Sequence, residues 1–324
     1  MNAISHAESV ALATLGGTTM GTRWSVKLCA SPRRDLHAVH ALVQSQLDAV
    51  VAQMSTWEAD SDISVFNRSQ AGTWRRLPAE FFTVLRCALE MAERSQGAYD
   101  PTIGTLVWLW GFGADAGVQR IPEASTLQAA RAHVGWERLH LSSEPPGALQ
   151  PGGLHLDLSA IAKGYAVDLV AARLREAGIA GALVDVGGEL YGYGGKPDGS
   201  PWQVLVEATP DKDDDAEPRV IALDDCAVAT SGDRWHAFEQ DHTRYSHTLD
   251  PRTGAPVAHA AAAVTVIAAD AMHADAWATA LTVMGQAEGF AFAERNGLAA
   301  RFVARSDGGL QETMTPAFRA RLRA

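Results

Sequence analysis

Two rhythms of apolar and polar positions alternate along the chain, and the switches between them mark out the elements. The stretch TRWSVKLCA, residues 22–30, alternates with a period of two, as a half-buried strand does. Residues 35–53 change to helical spacing, with Leu36, Val39, Val43, Leu47 and Val50 on one face. Residues 79–95 repeat that spacing and stop at Gly97. A third helix is expected from near Pro122 to Gly135. PPGALQPGG, residues 145–153, reads as a loop and as a boundary between two lobes. A strand and then a helix from about Ser159 to Ala177 follow it.

The second half is richer in strands. GALVDVGGELYGYGG reads as two short strands around Gly187 and Gly188, and PWQVLVEA as another. Further strands are expected near 219–224, 226–230, 244–249 and 261–268, two helices at 270–284 and 286–295, and a last strand near 299–304. Strands and helices mix without strict alternation. That predicts an α+β fold of mixed, largely antiparallel sheets with flanking helices, not a doubly wound sheet. No solenoid repeat is present in the sequence.

Composition narrows the chemistry. A chain of 324 residues holds one large domain or two intimate lobes. Its formal net charge of −11 argues against a nucleic-acid partner, so an anionic small molecule needs a local cation or a metal. Cys29, Cys87 and Cys226 are far apart and odd in number, which favours isolated buried thiols over disulfides or zinc. TPDKDDDAEP, residues 209–218, reads as a solvated acidic turn and not a metal site. The first residues have no basic segment leading into a long apolar run and no cysteine suited to lipid attachment, so a cytoplasmic location is expected. No phosphate loop, dinucleotide fingerprint or nucleophile elbow is present.

Some residues are hard to explain by packing. In LHLDLSAIAKGYAVDLV, residues 154–170, Asp157, Lys163 and Asp168 interrupt an apolar segment. Asp275 and Thr279 are four apart, so a helix puts a carboxylate and a hydroxyl on one face. Both are hard oxygen donors suited to Mg²⁺. Equally, Asp275 fits an N-cap and Thr279 a back-bond to the carbonyl four residues earlier, and these residues alone favour that reading. His247 on a strand before the DPRTG turn has the pKa range of a general base, or is structural. Thr230, Ser231 and Gly232 form either a phosphate-binding turn or an ordinary one. Trp57 falls between two helices, the second capped by Ser61 or Asp62, and either stacks on a planar ring or plugs a core edge. Asp100-Pro101 reads most simply as a turn.

Taken in order, the segments MGT, MSTW…DSDISVFN, GAYDPTIGTLVWLWGFG, LDLSAIAKGYAVD, VDVGGELYGYG, ATSGD, YSHTLDPRTG and ADAWATAL resemble the ApbE family, the Mg²⁺-dependent FAD:protein FMN transferases. The resemblance implies one domain over residues 14–324 after a short extension, 1–13, with a T-fold-like arrangement and a ligand cleft between two lobes. It implies FAD contacts at Met20, Trp57, Ala98, Tyr99, Asp100, Asp157, Lys163 and Leu249, the last through its main chain. It implies metal ligation by Asp275, Thr279 and the Ala160 carbonyl, and a catalytic role for His247. Ala278 stands where some members carry a further Asp ligand. Asp168 is given no chemistry. FAD is implied as the substrate and Mg²⁺ as the cofactor. The implied partner is an acceptor flavoprotein, membrane-associated or redox-active, with a Ser/Thr flavinylation motif. FAD hydrolysis to FMN and AMP, or FAD binding without turnover, are the alternatives.

Overall fold

The computed structural model describes residues 10–114, 116–206, 219–232, 237–240, 243–257, 261–306 and 309–322. The acidic turn expected at 209–218 lies outside them. Eight antiparallel strands form the central sheet, each beside its neighbour in chain order. They are β1 (Ala11–Thr19), β2 (Thr22–Ala30), β3 (Ala182–Val186), β4 (Glu189–Tyr193), β5 (Cys226–Gly232), β6 (Ala261–Ala268), β7 (Ala299–Ser306) and β8 (Gly309–Met314). The α+β class expected from the sequence is the class observed, and antiparallel pairing dominates.

The alternation along each strand sends its side chains into two separate cores. On one face, Ala182, Val184, Val186, Ala227 and Ala229 pack with helices α1 (Leu36–Met54), α2 (Ala79–Arg94), α3 (Ala162–Glu176) and α4 (Ala271–Arg295). On the other, Leu183, Cys226 and Val228 pack under a hairpin of Trp202–Val206 and Arg219–Leu223, closed by Phe318 of the short Pro316–Arg319 helix. A satellite cluster joins Leu106, Leu109 and Trp110 to Leu249, Phe238 and Tyr245 from the segment between β5 and β6. All three cysteines are buried and free. Among the described residues, no helix is long and apolar enough to cross a membrane.

Helices α1 and α2 follow the sequence pattern closely. In α1, Val39, Val43, Leu47, Val50 and Met54 are buried, and Asp35 caps the helix by accepting from the amides of His37 and Ala38. In α2, Phe81, Val84, Leu85, Ala88, Met91 and Ala92 form the buried stripe. Full burial of each large side chain contributes roughly 1.5–3 kcal/mol.

Several expectations are corrected. Residues 146–150 are not loop but a strand, Pro146–Gln150, central in a small sheet with Thr73–Arg76 and His140–Ser143. Residues 154–158 form no strand. Instead, Asn67 bonds both the carbonyl and the amide of Leu156, and the Asp157 amide donates to Pro101 O. The following helix begins at Ala162 and not near Ser159. Thr230–Gly232 continue β5 opposite Thr265–Ala263 and make no turn. His247 stands on a bend between two short strands, Thr243–Ser246 and Leu249–Asp250, and not within a strand. The two helices expected over 270–295 run on as α4 with a break at Gly285, whose φ of 75° and ψ of 176° are non-helical.

Candidate active site

The site is built where α3 and α4 cross. A Cβ on Gly164 would stand 2.2 Å from the Ala271 carbonyl oxygen, so only glycine permits this approach. Asp168, one turn further along α3, accepts from the Ala271 and Met272 amides at 2.8 and 2.9 Å. Asp270 accepts from the His273 amide, and its own carbonyl from that of Ala274. Three of the amides that a helix start leaves unpaired, those of Ala271, Met272 and His273, are thus satisfied, two of them by another helix. Asp168 is therefore structural, and it fixes where α4 begins. Burial, with Asp270 nearby, raises its pKa to about 7 despite the two amide donors.

With Asp270 as the cap, Asp275 is freed from that role. It lies one turn inside α4 and is only 5% exposed. Its Oδ2 accepts from the Gly164 amide at 3.1 Å. Gly164 stands in the first turn of α3, where amides have no partner within the helix, so Asp275 satisfies an amide that the helix start leaves open. Among the described residues the Ala160 carbonyl, two residues before α3, accepts no hydrogen bond. Thr279 is half-buried, and among the described residues its hydroxyl makes no back-bond, whereas Thr282 in the same helix makes one to Ala278 O. Asp275 and Thr279 stand one turn apart on α4, and the Ala160 carbonyl lies just ahead of the helix turn that Asp275 holds. All three are hard oxygen donors of the kind that suits Mg²⁺. Ala278 is buried and adds none. Among the described residues no group of three or more His, Cys, Asp or Glu gathers in a metal-binding cluster, so the main-chain and hydroxyl donors matter.

Lys163 adds the positive charge. Its ammonium pairs with Glu189, the first residue of β4, and not with Asp157. Burial works against the ammonium, but Asp275 and Glu189 outweigh it and raise its pKa. Burial raises the pKa of both Glu189 and Asp275, with Lys163 opposing. Glu189 was not singled out from the sequence. The available signal was a lone carboxylate opening an apolar strand straight after Gly187–Gly188.

Tyr99 and Asp100 run alongside. The Tyr99 ring is buried, and its hydroxyl has no hydrogen-bond partner. Burial first, then Asp275, raises its pKa well above the ordinary value. Asp100 Oδ1 accepts from both the amide and the hydroxyl of Thr102, and Oδ2 from the Trp136 amide. Its carboxylate thus ties two loops together, and burial raises its pKa against those bonds. Ala98 is buried beside them. Asp157 accepts from the Ser159 amide at 2.8 Å, which turns the chain into α3. So Tyr99, Asp100, Asp157, Lys163 and Asp275 share one neighbourhood, with Ala98 next to Tyr99 in the chain.

The remaining candidates stand on other loops, and among the described residues no hydrogen bond joins Met20, Trp57 or Leu249 to that neighbourhood. Met20, with φ of 48°, and Gly21, with φ of 69°, make the tight turn between β1 and β2, beside a hollow of about 510 Å³. Trp57 is 67% exposed on the loop between α1 and the Asp62–Asn67 helix, which Ser61 caps. Leu249 is buried in the satellite cluster. His247 packs edge-on to Phe112, with ring centroids 6.4 Å apart. An exposed indole, an unpartnered phenol and a carboxylate–carbonyl–hydroxyl set suit a ligand that is aromatic at one end and polyanionic at the other.

Residues 20–302 match the sequence profile of the ApbE family. The chain is 37% identical over 306 residues to an FAD:protein FMN transferase of Vibrio cholerae, covering 94% of this chain and 91% of that one. It is 35% identical over 312 residues to the enzyme of the same name from Haemophilus influenzae, covering 94% and 90%. Among solved structures, the apo flavinyl transferase ApbE of Pseudomonas stutzeri superposes with a TM-score of 0.90 at 39% identity, covering 97% of this chain and 98% of that one. The ApbE protein of Thermotoga maritima gives 0.84 at 28% identity, covering 97% and 100%.

Proposed function

The chain belongs to the ApbE family, and we propose that it transfers the FMN moiety of FAD, with Mg²⁺, to a Ser or Thr hydroxyl of an acceptor protein. FMN transfer from FAD to protein is the activity named for its relatives along nearly their whole length. The observation that carries the detailed reading is the Gly164–Asp275 bond, which holds a buried carboxylate against the first turn of α3, close in sequence to the unclaimed Ala160 carbonyl.

Asp275, Thr279 and the Ala160 carbonyl would hold the Mg²⁺, which when bound would supply positive charge to offset that of the diphosphate and of the departing AMP. The Tyr99 hydroxyl and the Trp57 ring bind FAD, together with Met20, Ala98, Asp100, Asp157, Lys163 and the Leu249 main chain. His247 accepts the proton of the acceptor hydroxyl. The hydroxyl oxygen attacks the phosphorus of the FMN half, and the bond from that phosphorus to the oxygen shared with AMP breaks. The products are a phosphoester-linked flavoprotein and AMP. Positioning and electrostatics supply most of the rate, as in other phosphoryl transfers. We assign the acceptor to the membrane-associated or redox proteins bearing a Ser/Thr motif, and the reaction to the cytoplasmic side.

The test incubates the purified protein with FAD, Mg²⁺ and a candidate acceptor, and reads flavin fluorescence on a denaturing gel. Covalent fluorescence on the acceptor is expected, falling roughly 10²–10³-fold in Asp275→Asn and roughly 10²–10⁴-fold in His247→Ala. An equally active His247→Ala overturns the base assignment. Release of AMP and FMN with no acceptor labelled replaces transfer by hydrolysis.

A further inference from the structure

We propose that Glu189 is a positioning residue that sets the charge of the metal site, by engaging the Lys163 ammonium and so leaving the Asp275 carboxylate to a divalent cation. The inference rests on the reading of Asp275 as a metal ligand.

Glu189 is 3% exposed. Its Oε1 pairs with Lys163 Nζ, while Oε2 is buried and has no hydrogen-bond partner. Lys163 immediately precedes Gly164, the residue whose amide holds Asp275. The ammonium is paired with one buried carboxylate and lies within electrostatic reach of a second, that of Asp275. A buried ion pair is weak evidence for stability, because desolvation offsets its attraction. An unsatisfied carboxylate oxygen raises that cost further. Stability does not account for Glu189, whereas the charge count does.

With both carboxylates ionised, one ammonium and two carboxylates sum to −1. Without the Glu189 charge the sum is zero, and Asp275 becomes the nearest partner left for Lys163. The cation then competes with an ammonium for its own ligand. Without the Lys163 charge the sum is −2, and the cation gains.

The experiment titrates Mg²⁺ calorimetrically into the whole protein, alone and with saturating AMP, so the readout is affinity and not turnover. Glu189→Gln is expected to weaken Mg²⁺ binding roughly 10–100-fold, the range found when groups behind metal ligands are removed. Lys163→Met should tighten it by a similar factor. The double variant Lys163→Met/Glu189→Gln restores a sum of −1 and should return to within a few-fold of the parent. A merely structural Glu189 would weaken binding in the single and the double variant alike, and Lys163→Met would not tighten it. Should Glu189→Gln fail to fold, Lys163→Met and the double variant still decide. If the parent binds no Mg²⁺, or Asp275→Asn binds it as well, the metal reading fails and this inference with it. If Asp275→Asn abolishes binding while Glu189→Gln leaves it unchanged, the Glu189 inference alone is overturned.

Discussion

Gly164 and Asp275 are 111 residues apart in sequence and 3.1 Å apart in space, as amide donor and carboxylate acceptor. The bond satisfies an amide that the start of α3 leaves without a partner, and it fixes one oxygen of a buried carboxylate against that turn. The carboxylate is thereby oriented before any cation arrives.

Gly164→Ala should break the arrangement. The new methyl would lie 2.2 Å from the Ala271 carbonyl oxygen and 2.6 Å from its carbon, both backbone atoms that cannot rotate away. Destabilisation of at least about 3 kcal/mol is expected, at the upper end for overpacking. Urea unfolding of the two proteins measures it, and a loss under about 1 kcal/mol would show that the helices separate readily.

Asp168 should give stability a pH dependence of definite sign. Its folded pKa is about 7, against roughly 3.9 in an unfolded chain. Between those values the folded state holds a proton that the unfolded state has released. Stability contributed by this group is therefore highest at the acid end, falls as pH rises through that window, and is flat above it. Thermal midpoints of Asp168→Asn and the parent, compared across the window, should diverge in slope. Parallel curves would place the Asp168 pKa near its ordinary value.

The carboxylates of this region show what a sequence can and cannot disclose. Asp275 and Thr279 were legible as an oxygen pair because helical spacing alone puts them on one face. Asp168 was left without a role, since its partners, the amides of Ala271 and Met272, lie a hundred residues away. Glu189 was overlooked because Lys163, its partner, belongs to another element. The stripes of α1 and α2 were legible because burial there follows a local period. The Leu154–Leu158 segment was not, because Asn67 and Pro101 take the place of a neighbouring strand. Pro146–Gln150 reads as loop in the sequence, because its proline and glycine hide a pairing with Thr73–Arg76.

Tyr99→Phe separates folding from binding. A buried hydroxyl without a partner contributes nothing to stability, so its removal should leave the melting temperature unchanged or slightly higher. FAD affinity should fall by a few-fold to tenfold, as for loss of one hydrogen bond of about 0.5–1.5 kcal/mol. Equilibrium titration of flavin fluorescence reads the second quantity. A destabilised variant with intact FAD affinity would mean that the hydroxyl serves the fold.

Trp57→Ala should show the same separation more strongly. The indole is 67% exposed, so unfolding free energy should stay within about 0.5 kcal/mol of the parent. Loss of stacking on the ring system should weaken FAD binding by roughly tenfold, from about 0.5–1.5 kcal/mol for an aromatic pair. Unchanged FAD affinity would remove Trp57 from the site.

The break at Gly285 has a consequence for how the chain tolerates change. An unbroken helix over Ala271–Arg295 would be a stiff rod of roughly 37 Å, and a shift at its outer end would be levered directly onto Asp275. The left-handed φ at Gly285 acts as a mechanical fuse. Residues 286–295 can drift, repack or take up insertions nearby, while the half that carries Asp275 and Thr279 keeps its register against α3.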